Sequence, residues 1–146
     1  MVMESPGEEL DAMVAEKVFG RVTYRVWIGS SRHGNWRYSY LENPIPFDIQ
    51  GSLEWDDDDF VPKYSEDMGK AWEVADYIVN GDPIKNPVDF SLRYDGSSRR
   101  FFAKFQSTAD RSDLQWSNMH TYPAMAICLA ALEKVRYDKE VADKSV

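Results

Sequence analysis

The stretch TYPAMAICLAALEKVRY, from Thr121 to Tyr137, decides how the rest of the chain must fold. Between Ala124 and Leu132 it holds nine consecutive apolar residues, too few to span a bilayer and too rich in alanine and leucine to favour a strand. Pro123 suits the first helical position, and Lys134 and Arg136 suit the last turn, where cations complement the helix dipole. The stretch therefore predicts a buried helix that other elements surround.

Composition limits both the architecture and the partners. The 146 residues predict a single domain over residues 1–146. Because 25 acidic residues outweigh 17 basic ones, the net charge of -8 argues against binding to nucleic-acid polymers or to anionic membranes. The first ten residues, MVMESPGEEL, contain no apolar run and predict neither a signal peptide nor an anchor. An anionic ligand must therefore meet a local basic patch.

The residues that most often carry catalysis or bind metals are sparse. The only cysteine, Cys128, lies in the apolar helix, which excludes a disulfide framework and favours a reducing cytoplasm. His33 and His120 have no ligand partners at metal spacing, so we predict no metal site, no cofactor and no catalytic residue. The acidic run Asp56–Asp59 suits Mg²⁺ or Ca²⁺ in principle, but a solvated acidic loop is the favoured interpretation.

The first half of the chain predicts a helix, a strand and a long loop. Ser5 and Pro6 begin an amphipathic helix that stops at Gly20. Arg21–Ile28 alternates between apolar and polar residues and predicts a half-buried strand. From Gly29 to Pro62 no clear periodicity remains, apart from a weaker strand pattern at Ile49–Trp55.

The second half predicts a helix, a hairpin and the central helix. Ser65 caps a helix whose apolar stripe includes Trp72 and which ends at Asn80–Pro83. Pro87–Tyr94 and Arg99–Gln106 then form a hairpin around the turn Asp95–Ser98. The remaining segments are Ser107–Asn118, predicted to be irregular, and the charged tail Asp138–Val146, predicted to fray. These elements predict an α+β layered domain with an antiparallel sheet.

The hairpin carries the most interesting group of side chains. Arg93, Arg99 and Arg100 bracket its turn, and Phe102 and Lys104 share a strand face with Arg100. Guanidinium groups bind phosphates bidentately, and an exposed aromatic ring stacks on a purine. A weaker repeat of this mixture lies on the first strand, where Arg25 is the candidate. The alternative is an ordinary hairpin with a solvated basic face and Phe102 packed beneath a helix.

Three separated segments resemble the phage ABA sandwich domain, a family of small bacteriophage proteins. They are LDAMVAEKVFG at Leu10–Gly20, YSED at Tyr64–Asp67 with AWEV at Ala71–Val74, and PAMAICLAAL at Pro123–Leu132. The resemblance implies helices on both sides of a sheet, and we therefore expect an α+β fold, a three-layer α/β/α sandwich with a mainly antiparallel sheet. The loop Ser31–Pro62 is longer than the family pattern.

The resemblance also implies a function. Phage counter-defence proteins of the Thoeris system lie in or close to this family, and they hold cyclic ADP-ribose signals without cleaving them, as dimers or higher assemblies. Related sponges take up cyclic oligonucleotides. We therefore expect a non-enzymatic, homo-oligomeric protein that sequesters a cyclic nucleotide signal in the cytoplasm of the infected host. The alternatives are a protein interaction module acting through the long loop and, with less support, a nucleotide-signal hydrolase.

Overall fold

The computed structural model describes residues 7–29, 32–41, 57–80, 87–108 and 114–144. Over these residues the chain forms three α-helices, one short 3-10 helix at Asp57–Asp59 and two antiparallel sheets, β1–β2 and β3–β4–β5. The elements are α1 (Glu8–Lys17), β1 (Tyr24–Gly29), β2 (Gly34–Ser39), α2 (Met68–Asn80), β3 (Val88–Asp95), β4 (Arg100–Ser107), β5 (Gln115–His120) and α3 (Pro123–Lys144). The predicted α+β class is confirmed, and the three-layer arrangement stays a prediction.

Helix α3 is the buried helix that its apolar run predicted. Ala124–Cys128 is at most 3% exposed, and the helix packs against α2, β4 and β5. It begins at Pro123, as expected, but it continues to Lys144 and so includes most of the segment predicted to fray. Lys134 therefore lies in mid-helix rather than in the last turn, where it forms an ion pair with Asp138 at 2.5 Å.

Helix α1 also matches its pattern. Its buried residues include Leu10 and Val14, which recur at helical spacing, and the chain leaves the helix through Gly20, whose φ of 66° favours glycine. The predicted starting residues Ser5 and Pro6 lie outside the described residues. The helix packs against α3 and β2.

The start of α2 differs from the prediction. The helix begins at Met68, where the Asp67 carboxylate accepts a hydrogen bond from the Lys70 amide, so Ser65 is not its cap. Ser65 is fully buried, and its amide donates a hydrogen bond to Asp11 of α1 instead. The position of Trp72 on the apolar stripe predicted a core residue, and this prediction was wrong. The Trp72 side chain is 48% exposed and contacts Phe90 only edge-on. The predicted end beyond Asn80 lies outside the described residues.

The sequence predicted one of the two strands of the first sheet, and the other strand was not predicted. Strand β1 matches the alternating pattern, although it begins at Tyr24. Its partner β2 lies within the segment judged to lack periodicity, and Trp36 of β2 packs edge-on against Trp27 of β1 at 5.4 Å. Glycine and asparagine at the start of β2 conceal the alternation of its two aromatic residues. The weaker strand pattern at Ile49–Trp55 lies outside the described residues.

The second sheet confirms the hairpin and adds a strand. β3 and β4 pair around a turn at 96–99. β5 pairs with β4, so the prediction that Ser107–Asn118 is irregular was wrong at its carboxyl end. Trp116 is the only large apolar side chain that β5 buries, which is too little alternation to reveal a strand. The face that carries Ala103, Phe105 and Trp116 packs toward the helices and completes the core.

Candidate functional site

The strand register places one set of side chains on the side of the second sheet that faces away from the core. We call this surface the outer face, and it comprises Asp89, Ser91, Arg93, Asp95, Arg100, Phe102, Lys104, Gln106, Gln115, Ser117 and Met119. These residues alternate with the buried ones, as side chains do along a strand. None of them is buried. The outer face is therefore available to a ligand.

Four of the six candidate residues lie on the outer face. Arg100, Phe102 and Lys104 follow one another along β4, and Arg93 of β3 stands directly opposite Phe102. The Arg93 guanidinium carbon lies 5.2 Å from the centre of the Phe102 ring, which places a cation beside a half-exposed aromatic surface. Met119 continues this row on β5. The arrangement offers a flat apolar surface with positive charge at its margin.

The next row of the outer face is polar. Lys104 stands between Ser91 on β3 and Ser117 on β5. A depression of about 430 Å³ borders Lys104, Ser91 and Gln106, and the Asp89 carboxylate also lines it. Hydroxyl, amide and ammonium groups in one place can together bind the oxygens of a phosphate.

Charges on the outer face are mixed. Within the described part of the chain, the side chains of Arg100 and Lys104 have no hydrogen bond and no salt bridge. Asp95 stands opposite Arg100, and hydrogen bonds from Ser98 and then Ser97 lower the pKa of its carboxyl group. Asp95 therefore stays anionic at neutral pH, and its charge interacts with that of Arg93, two residues before it on the same face. An anionic ligand on this face therefore meets the cations Arg93, Arg100 and Lys104 beside the carboxylates of Asp89 and Asp95.

The other two candidates lie elsewhere. Arg99 belongs to the turn, where its φ of 57° is left-handed and its amide donates to the Asp95 carbonyl at 2.8 Å. Arg25 belongs to β1 of the first sheet, and its guanidinium carbon lies 5.0 Å from the centre of a Trp36 ring. Strand pairing does not bring Arg25 to the outer face, because the two sheets share no strand.

Residues weighed for other chemistry have structural contacts. The Cys128 thiol is fully buried, donates to the Tyr64 carbonyl at 3.3 Å and has a pKa raised by burial. His120 accepts a hydrogen bond from the Tyr122 amide through Nδ1. Among the described residues there is no cluster of His, Cys, Asp and Glu that fits a metal, and no helix has the length and apolar composition needed to cross a membrane.

The sequence did not single out several outer-face residues. Ser91 was detectable in principle, because it alternates with the apolar residues Phe90 and Leu92 of a predicted strand. Ser117 and Met119 were not, because their strand was not predicted. Only the pairing of β5 with β4 places them beside Lys104 and Phe102.

Comparison with known proteins gives one match. A family model described as the phage ABA sandwich domain matches residues 12–132, a range that runs from α1 into α3 and contains the whole outer face. No curated protein and no solved structure matches the chain.

Proposed function

The chain belongs to the phage ABA sandwich domain family and is a phage-associated protein, and from this premise we propose that it sequesters a cyclic nucleotide immune signal. The ligand class is a cyclic ADP-ribose isomer or a cyclic oligonucleotide. Such a ligand combines phosphate groups with a flat base, and binding requires both cationic and aromatic contacts.

The observation that carries the proposal is the juxtaposition of Arg93, Phe102 and Lys104 on the outer face. The base stacks on the half-exposed Phe102 ring, and the phosphates reach Arg93 and Lys104 on either side. Ser91 and Ser117 add hydroxyl donors next to Lys104. Because the chain carries a net charge of -8, this local group of cations acts as a selective contact rather than as part of a general anion-binding surface.

Binding without cleavage is part of the same proposal. The protein holds the signal intact, works in the cytoplasm of the infected cell, and assembles as a homo-oligomer whose subunits bury the ligand between outer faces. A ligand on a single open face stays half solvated, whereas a second subunit encloses it and slows its release.

The test is to mix the pure protein with a panel of cyclic ADP-ribose isomers and cyclic di- and trinucleotides, then filter, heat and chromatograph the released material. A ligand that disappears on mixing and returns intact on heating supports sequestration. A ligand that returns altered indicates an enzyme. If no ligand is retained, the proposal fails, and a pull-down for one stoichiometric partner tests the interaction-module alternative.

Variants locate the site once a ligand is found. Arg93→Gln and Lys104→Gln each remove a charge-assisted hydrogen bond, so each weakens binding by about tenfold or more. Phe102→Ala removes a stacking contact worth about 1–3 kcal/mol. Arg25→Gln is expected to leave binding unchanged, since Arg25 rests over Trp36 in the other sheet. Equal loss in all four variants contradicts the assignment to the outer face.

A further inference from the structure

A larger cleft lies away from the outer face, between α1 and α3. Its volume is about 650 Å³, and the two helices supply nearly all of its lining. The volume falls within the range of about 300–1,000 Å³ that is typical of small-molecule sites. The cleft is therefore large enough for a small organic ligand.

The floor of the cleft is apolar. Leu10 and Met13 come from α1, and Leu129, Leu132 and Val135 come from α3. Except for Leu10, these side chains are only half-buried, so the two helices leave apolar surface uncovered where they meet. A ligand that covers this surface gains the free energy of removing it from water.

The rim of the cleft is cationic. Lys17, Arg136 and Lys139 line it together with a single carboxylate, that of Glu133. All three cations are exposed, and within the described ranges none of them has a salt bridge or a hydrogen bond from its side chain. Three unpaired cations against one carboxylate stand out in a chain whose net charge is -8. The cleft therefore complements an anion.

On both helices, the stripe of residues that lines the cleft changes from apolar to cationic toward the carboxyl end. On α1 the residues Leu10, Met13 and Lys17 follow one stripe at helical spacing, with the cation last. On α3 the stripe Leu129, Leu132 and Arg136 also changes from apolar to cationic. Apolar surface and positive charge thus meet within one cleft. Asn118 of β5 adds a hydrogen-bonding amide to the lining.

We propose that the cleft between α1 and α3 binds a small amphipathic anion, a molecule with an apolar body and a carboxylate or phosphate head. The body covers the leucine and methionine floor, and the head is bound by the guanidinium of Arg136 and the ammonium groups of Lys17 and Lys139. This site is separate from the outer face, and the proposal does not depend on the nucleotide ligand.

The experiment is calorimetric titration of the full chain with decanoate, with decanol and decylammonium as probes of the same apolar length. Decanoate is expected to saturate one site per chain and to bind at least about tenfold more tightly than decanol, through a charge-assisted contact of the head. Decylammonium is expected not to bind, because the rim repels it.

The matched variants are Lys17→Gln/Arg136→Gln/Lys139→Gln and the control Arg32→Gln/Lys63→Gln/Lys70→Gln, which removes three cations outside the cleft. Every substituted side chain of the first variant is exposed, so circular dichroism should show an unchanged fold. We expect decanoate binding to fall at least about tenfold in the first variant and to persist in the control. No decanoate binding, equal binding of decanol, or equal loss in both variants overturns the proposal.

Discussion

Removing the Asp11 carboxylate should destabilise the contact between α1 and the segment that precedes α2, and so lower the free energy of unfolding. Asp11 is 3% exposed, and its Oδ1 accepts a hydrogen bond from the Ser65 amide at 2.8 Å. The Ser65 hydroxyl in turn accepts from the Gly7 amide at 3.1 Å, at the start of α1. One buried pair thus satisfies backbone donors that lie more than fifty residues apart in the chain.

The two substitutions Asp11→Ala and Asp11→Asn separate hydrogen bonding from charge. Alanine leaves the buried Ser65 amide without its acceptor, which costs about 1–3 kcal/mol of unfolding free energy. For a chain of this size that corresponds to a fall in Tm of roughly 2–4 °C per kcal/mol. Asparagine retains a carbonyl oxygen for the same amide, so its cost at neutral pH should stay within about 1 kcal/mol.

The pH dependence has a definite sign. Burial raises the pKa of the Asp11 carboxyl group above the value of 3.8, against the opposing hydrogen bonds from Ser65, and the nearby charges of Glu66 and Glu8 add to the rise. Between 3.8 and the raised native pKa, the unfolded chain has lost this proton and the folded chain has not. The stability that Asp11 contributes is therefore full below this window and declines as the pH rises through it. Over the same pH interval, the unfolding free energy of the Asp11→Asn variant should rise relative to that of the wild type.

Urea unfolding followed by tryptophan fluorescence at several pH values from acid to neutral measures both effects. The m-values should agree among the three proteins, so that differences in midpoint report stability. An alanine variant within about 0.5 kcal/mol of the wild type would show that the amide finds another partner. An asparagine variant that loses stability relative to the wild type as the pH rises would refute the assigned direction of the pKa.

Three further substitutions and one chemical reaction test the packing. Phe105→Ala should lower the unfolding free energy by about 3–5 kcal/mol in urea titration, because Phe105 is fully buried; Trp72→Ala, at a side chain 48% exposed, should cost clearly less. Gly34→Ala should weaken the first sheet, seen as a lower Tm, since an added Cβ would lie 2.4 Å from the Ile28 carbonyl oxygen. Cys128 should react with a thiol reagent only after unfolding, as absorbance of the released chromophore would show; rapid reaction of the native protein would contradict its burial.

Local patterns predicted the elements whose burial is strongly one-sided or complete. The apolar run of α3, the helical spacing in α1 and the alternation in β3 and β4 each identify an element, because burial imposes the period of the backbone on the sequence. The same alternation predicted that Arg100, Phe102 and Lys104 share one face, which the register confirms.

Elements with little apolar burial were missed for the converse reason. Strand β5 buries one large apolar side chain, and β2 begins with Gly34 and Asn35. Neither strand therefore shows a clear alternation of apolar and polar residues. Each of these strands is instead defined by backbone hydrogen bonds to the strand that precedes it, β2 to β1 and β5 to β4, and such pairing leaves no pattern in the side chains. The predicted role of Ser65 as the cap of α2 was wrong for a related reason. Its amide donates a hydrogen bond to the side chain of Asp11 in α1, a contact that local sequence does not reveal.

The sequence by itself determined that this protein is an acidic α+β chain built around one buried helix, with a basic and aromatic hairpin, because composition and periodicity are local properties. Only the tertiary structure decided which groups meet. It placed Arg93 beside Phe102, separated Arg25 into another sheet, and brought Lys17 to the same cleft as Arg136 and Lys139. The first contact follows from the register of the hairpin, and the last follows from the packing of α1 on α3, two helices that are far apart in the chain.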